Sequence, residues 1–301
     1  MKGKIIVGSI LAIASFVFVA CSSDSDKMDF DKDLYVTIPD SSFEAELIEQ
    51  GIDSDGIVNQ EILKSDAEKV SELDLSNSKA DKIKDLTGIE AFTNLHYLVA
   101  NQHEIASIDL SANTLLDTIY FSGNYLNSID LSENTNLILV DVQANGLKSI
   151  TGISELTHLK KLNVSWNDLE QLTVQNESIE VLHASQNLLS SLNTEGSVNL
   201  KNILLRTNKL ATVNFSSNVL LETLVLPDNK LENINLEQNS KLTHFHIFDN
   251  LLSDLDLSNN LDLVEIKVDR NESLTCIKIN EGQYIPSVSI SDYQKLSSTC
   301  D

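Results

Sequence analysis

Glycine and proline are scarce in this chain, 10 and 3 of its 301 residues, too few for an ordinary loop-rich domain. The turns must be made by other residues, and asparagine and aspartate are the ones that bond their own backbone and tolerate unusual conformations. Basic residues are also short, 21 Lys and Arg against 45 Asp and Glu, for a formal charge of −24. A surface that acidic repels phosphate backbones, which excludes nucleic acid as a partner. There is no glycine-rich phosphate loop, and no Ser-His-Asp or Cys-His grouping stands in a supporting context. Paired carboxylates occur throughout so acidic a chain and carry no signal for glycosidase chemistry. The chain therefore reads as a non-enzyme without a cofactor. Aromatic residues make up 5% of it, with one tryptophan, so the places where they gather are informative.

The first twenty residues stand apart. Lys2 and Lys4 make a short basic start, and Ile5 to Ala20 is an apolar run broken only by Gly8, Ser9 and Ser15. The run is too short for a comfortable membrane span and reads as a signal peptide, residues 1–20. It ends at Phe18-Val19-Ala20-Cys21, which resembles a bacterial lipobox, with Phe18 where leucine is usual. The resemblance implies export by the general secretory pathway, cleavage before Cys21 and lipidation of Cys21. The alternative is a plain signal peptide cut near Ala20. Cleavage removes two lysines and no acids, so the charge becomes 19 minus 45, or −26.

Residues 21–33 are polar and acidic and read as a disordered tether. Ser22 after the cysteine resembles an outer-membrane address. The early acidic run resembles the surface-export signal of Bacteroidetes lipoproteins, the alternative being a soluble spacer. Together they imply a lipid-anchored protein on the outer face of the outer membrane. No sorting domain follows Asp301, so the lipid is the expected anchor. If Cys21 carries lipid, Cys276 and Cys300 remain as one pair in an oxidising compartment, where a disulfide persists. The alternative is two separate buried thiols.

The body of the chain repeats. One unit reads Leu116-x-x-Ile119-x-Phe121-x-x-Asn124-x-Leu126-x-x-Ile129-Asp130-Leu131. Units begin at Val70, Leu95, Leu116, Leu137, Leu159, Ile179, Leu200, Leu221, Leu242 and Leu263, with spacings of 25, 21, 21, 22, 20, 21, 21, 21 and 21. Chance does not keep such a register over ten units. The alternating run at positions four to six predicts a strand with one buried face. A single unit cannot cover its own leucines, whereas stacked units can. Asparagine at position nine turns the chain, and its amide can bond the bend and the adjoining rung. His103 replaces it in the second unit and Ser78 in the first, which predicts poorer order there.

This pattern resembles leucine-rich repeats, more narrowly a 21-residue bacterial subclass that nests LxxLxLxxNxL with LxxLDLxxN. The resemblance implies a mostly β repeat solenoid of the α/β class, a right-handed superhelix with a parallel concave sheet and short convex strands. Ile108-Asp-Leu110, Ile129-Asp-Leu131 and Leu255-Asp-Leu257 suit a convex strand. Leu192-Asn-Thr194 and Thr151-Gly152 suit it poorly, so convex pairing is expected to break there. Residues 34–69 form the amino-terminal cap, where Ser41 or Asp40 can cap a helix with Phe43, Leu47 and Ile48 on its apolar stripe, and Glu44 and Glu46 suit its first turn. The Ile38-Pro39-Asp40 lead-in resembles that of flavobacterial repeat proteins, and Ile83 to Phe92 resembles an internalin-type longer unit. Repeats fill 70–280. Residues 281–301 form the carboxy-terminal cap, and the stretch from Leu274 to Cys300 resembles the disulfide-closed end of the same proteins.

Two places invite a metal reading. Asp53-Ser-Asp55-Gly56 has part of a calcium loop's pattern, but Lys64 stands where the twelfth-position acid belongs; a glycine turn is the plainer reading. His244 and His246 share one strand face near Glu265. The more informative surface is the concave face, where positions three, five, seven and eight point outward. It carries Tyr97, Val99 and Tyr120 as one cluster, Leu204, Arg206, Val225 and Phe248 as another, Trp166 between them, and His183 and His246 in one column. Aromatic and arginine residues anchor interfaces, so these ten residues are the candidate ligand site. The expected partner is an extracellular protein or peptide, or a glycan stacked on the aromatic rings. A structural surface coat is the third reading.

Overall fold

The structure, a computed structural model, describes residues 34–76 and 81–300. The expected signal peptide, Cys21, the tether and Ser78 lie outside the described residues.

Each unit's alternating run becomes a three-residue strand, or rung. The rungs are Glu72–Asp74, Tyr97–Val99, Thr118–Tyr120, Leu139–Asp141, Lys161–Asn163, Val181–His183, Asn202–Leu204, Thr223–Val225, His244–His246, Glu265–Lys267 and Ser287–Ser289. Among the described residues they form one eleven-stranded sheet, parallel and in sequence order. The last rung lies within the expected carboxy-terminal cap, so the sheet is one strand longer than the ten units. The central residue of each of the first ten rungs, from Leu73 to Ile266, is fully buried, and so is the residue two positions on, from Leu75 to Val268. Stacked units thus share one continuous core.

Position nine stitches the stack together. The Asn229 side chain donates from Nδ2 to the carbonyls of Leu205 and Leu226, both at 3.0 Å, and its Oδ1 accepts from Leu210 N–H at 3.1 Å. Each such asparagine reaches its own bend and the preceding unit. His103 keeps this arrangement, against expectation. Its Nε2 meets the Leu75 carbonyl at 2.9 Å and its Nδ1 accepts from Ile83 N–H at 3.2 Å. An imidazole carries one donor and one acceptor on opposite sides, as an amide does, so order is not lost there. A second asparagine ladder runs through the nested motif. Asn134 donates to Leu110 and Asn113 carbonyls, and Asn239 to those of Phe215 and Asn218.

The residue that reverses the chain is the one before the ladder asparagine. Gln102, Ala144, Trp166, Gln186, Thr207, Asp228, Asp249 and Arg270 all have φ between 53 and 60°, and Gly123 takes φ 70° at the same position. Left-handed backbone is costly for any residue with a Cβ. It is held here because each turn is hydrogen-bonded to the next, as Asn145 N–H is to the Trp166 carbonyl.

Convex strands depart from expectation. Ser128–Asp130 pairs with Ser149–Thr151, and Gln171–Thr173 with Ser191–Asn193. The run at Leu192 therefore does form a strand, while Ile108-Asp-Leu110 forms none. A groove of about 540 Å³ lined by Asp85, Ile89, Ser107 and Ile108 lies on the convex side between the first two units. Leu255-Asp-Leu257 contributes a single bridge, Asp256 to Lys278. Pairing does stop at Gly152, whose φ is 83°. A Cβ there would sit 2.3 Å from Ser132 N. The chain then turns into the one-turn 3-10 helix Ile153–Glu155.

The amino-terminal cap holds the helix Ser41–Glu49, capped by Asp40, whose Oδ1 accepts from Ser42 and Phe43 N–H. Asp40 Oδ2 also accepts from Lys84 and Asp85 N–H, fastening the cap to the first unit. Phe43 meets Phe92 with ring centroids 6.3 Å apart. Glu44 stands in the first turn of this helix, as expected. It is fully buried and its Oε1 accepts from the backbone of Asn59, Gln60 and Glu61. At the other end Cys276 and Cys300 are joined by a disulfide, which closes 24 residues beside the paired strands Cys276–Lys278 and Lys295–Ser297.

Candidate functional site

Side chains on either side of each rung's buried centre face the open concave side of the sheet. In-register pairing aligns Tyr120, Asp141, Asn163, His183, Leu204, Val225, His246 and Lys267 in one column. Tyr97 and Tyr120 meet edge to face with centroids 6.0 Å apart, a favourable geometry for rings with negative faces and positive edges. Burial raises the Tyr97 hydroxyl pKa, with Tyr120, Asp74 and Glu72 adding to it.

Val99, expected on this surface, is 5% exposed. Its register partners on the two adjoining rungs are Asp74 and Tyr120. Asp141 and Asn163 are buried in the same column, where Asn163 Nδ2 donates to Asp141 Oδ2 at 3.0 Å. His183 is half-buried, and burial followed by the charge of Lys161 lowers its pKa.

The second cluster forms around Phe248. Arg206 lies 5.9 Å from its ring centroid and Arg270 5.1 Å. The two arginines come from the seventh and tenth units, on either side of the ninth. Arg270 also donates to both Asp249 oxygens at 2.6 and 2.7 Å and to Asp269 at 2.8 Å, while Arg206 Nε reaches Asp228 at 3.2 Å. Arg270 stands at position eight, like Trp166, in the left-handed turn; sequence reading did not single it out, because only the folded chain shows its guanidinium lying over Phe248 of the preceding unit. Leu204 and Val225 are adjacent and half-buried beside this group.

Trp166 lies between the clusters in rung order but occupies the left-handed turn at the rim, 60% exposed. His246 is a register neighbour of Lys267, and its Nε2 meets Glu265 Oε2 at 3.0 Å. Glu265 thus serves His246 rather than its register partner His244. Burial lowers the His246 pKa despite that carboxylate.

The Asp53–Asp55 loop is tied within itself. Asp55 Oδ1 accepts from Ile57 N–H and Oδ2 from Asn59 Nδ2, both at 2.7 Å, around Gly56 at φ 69°. Among the described residues no group of three or more His, Cys, Asp or Glu is placed to hold a metal ion.

No protein-family model matches this chain, and no curated protein is similar to it in sequence. Solved structures are similar to it in fold. The functional domain of InlJ from Listeria monocytogenes matches 89% of this chain at 23% identity and a TM-score of 0.72, and the chain spans 63% of that domain's length. Internalin C2 from the same organism matches 78% of this chain and 97% of its own at 20% identity and a TM-score of 0.56. The plant peptide hormone receptor RGFR1, solved in complex with RGF2, matches 78% of this chain and 42% of its own at 22% identity and a TM-score of 0.61. With the stacked rungs and their asparagine ladders, these likenesses establish the fold: the chain is a leucine-rich repeat solenoid.

Proposed function

We propose that this protein is a cell-surface binding protein, anchored by lipid on Cys21, that holds an extracellular protein or peptide on its concave face in adhesion or assembly. The observation that carries the reading is the open sheet face with two preorganised aromatic groups, Tyr97 with Tyr120 and Phe248 between Arg206 and Arg270. Aromatic and arginine side chains held in fixed geometry lose little entropy on contact. The fold offers further support, since RGFR1, a plant peptide hormone receptor, was solved in complex with RGF2.

The reading is tested by capture of proteins from an extracellular extract. Phe248→Ala and Tyr120→Ala should each weaken retention of the captured partner at least tenfold while shifting the melting temperature by less than about 3 °C, since both side chains are only partly buried. Binding equal to wild type in both variants would end the assignment of this face. A protein that ignores extracts but marks specific sugars on a glycan array would be a carbohydrate receptor instead. For the anchor, an alkyne fatty acid fed to cells should label the wild type and not Cys21→Ser. Protease added to intact cells should degrade a surface-displayed chain.

A further inference from the structure

The concave face is divided electrically. Positions three, five and seven of the first four units hold Glu72, Asp74, Ser76, Tyr97, Val99, Asn101, Thr118, Tyr120, Ser122, Leu139, Asp141 and Gln143, of which Val99 and Asp141 are buried. They include three carboxylates and no Lys, Arg or His. The basic residues of the face, Lys161, His183, Arg206, His244, His246 and Lys267, all come later. The tyrosine pair lies inside the acidic part. Glu72 is the register neighbour of Tyr97, and Asp141 is the register neighbour of Tyr120. A carboxylate therefore stands on the rung to each side of the two rings, with Asp74 beside Glu72.

The other aromatic on this face shows what such a place does when its own cations are available. Phe248 has two guanidiniums over it, each also bonded to an aspartate. The tyrosines have the rings and the carboxylates, but among the described residues no cation lies over either. Lys82, at the rim of these rungs, is engaged by the Gln102 carbonyl. A cation over an aromatic face is attracted by the ring quadrupole, and a flanking carboxylate adds a charge-assisted hydrogen bond.

We infer that Tyr97 and Tyr120, flanked by Glu72, Asp74 and Asp141, seat a lysine or arginine side chain of a bound polypeptide. The inference rests on the concave face being the binding face. A polypeptide suits the site better than a free amine because the sheet continues. Eleven rungs span about 48 Å at roughly 4.8 Å per strand, room for some fourteen extended residues. Leu204 lies four rungs from Tyr120, about 19 Å, so apolar side chains about six residues from the seated cation would meet Leu204 and Val225. The seat also attracts the positive part of a partner toward a chain of charge −24.

The test uses the full chain in detergent micelles and a phage-displayed library of random dodecapeptides. Peptides selected on wild type should be enriched in Lys or Arg. Replacing that residue by norleucine in a synthetic copy of a selected peptide should weaken binding at least tenfold. The same replacement should matter less than twofold for Tyr97→Ala/Tyr120→Ala and for Glu72→Gln/Asp74→Asn, both checked for an unchanged melting temperature. A merely structural role for these residues would weaken all peptides alike and leave the norleucine effect intact. Selected peptides without basic enrichment, or a norleucine effect that persists in both double variants, overturn the cation seat. If those peptides still depend on Phe248, the binding face itself stands. If no peptide is retained at all, the seat is likewise overturned, and the face is then judged by the Phe248→Ala capture result alone.

Discussion

Position eight of the repeat shows how a fold can hold a residue in a conformation it does not favour. Nine successive units place that residue at positive φ, and eight of the nine are not glycine. Gly123 is the exception, and a Cβ there would have room, 3.4 Å from Gln102. The cost of a side chain is therefore backbone strain alone. Gly123→Ala should destabilise by about 1 kcal/mol, and Ala144→Gly, offset in part by chain entropy, should be neutral or slightly stabilising. Urea unfolding of the two variants reads the difference, and the same sign in both would refute it. His103 gives a second test at this scale. Burial lowers its pKa in the fold, against the opposing bond to the Leu75 carbonyl and the charges of Glu46 and Asp40, with Lys82 acting in the same direction as burial. The neutral ring is the form that fits the ladder, donating from Nε2 and accepting at Nδ1. The unfolded chain takes up the proton first, so stability is full above about pH 6.5 and declines as pH falls below it. Melting temperatures between pH 7.5 and 5 should therefore drop more for wild type than for His103→Asn, and parallel curves would remove His103 from the account.

Rungs, turns and caps are each too small to be stable alone. A three-residue strand is ordered by its two neighbours: each inner concave rung has one on both sides, whereas the convex strands occur as isolated pairs. The end of the stack has a neighbour on one side only. There Val288, which continues the buried column, is 41% exposed. The Cys276–Cys300 disulfide compensates by restricting the unfolded chain over 24 residues, an effect of about 3 kcal/mol. Reduction should accordingly expose the amides of Ile277, Ile279 and Lys295 to hydrogen exchange well before those of the central rungs. Equal protection loss along the whole chain on reduction would show that the cap is not a separate cooperative unit.

Taken whole, the molecule is close to one-dimensional, each unit touching those before and after it. Removing residues 200–220, one complete period, should join Asn199 to Leu221 with both buried columns and the asparagine ladder still in register. That deletion should retain the strand signal in circular dichroism and a cooperative melt. Removing residues 211–220 breaks the period and should abolish both. If the two deletions behaved alike, periodic stacking would not be what specifies the fold. The charge of −24 works at the same scale, keeping chains apart in solution while setting the sign of partner the acidic rungs attract.

The period of near 21 residues and the leucine and isoleucine columns were enough to foresee a stacked solenoid, because stacking leaves few other ways to bury those columns; the parallel sheet followed from the resemblance to leucine-rich repeats, and the pairing of Cys276 with Cys300 from setting Cys21 aside for lipid in an oxidising compartment. The tyrosine pair and the Phe248 cluster were legible for the same reason: period two places them on one face. What needed three dimensions was local burial, convex pairing and reach across units. Only the folded chain showed that Val99 is buried and that Ile108, not Leu192, lacks a convex strand. Long side chains reached across rungs, bringing Arg270 over Phe248 and Glu265 to His246. A repeat fixes where each backbone lies, but the length of a side chain and what stands on the adjoining rungs decide what it touches.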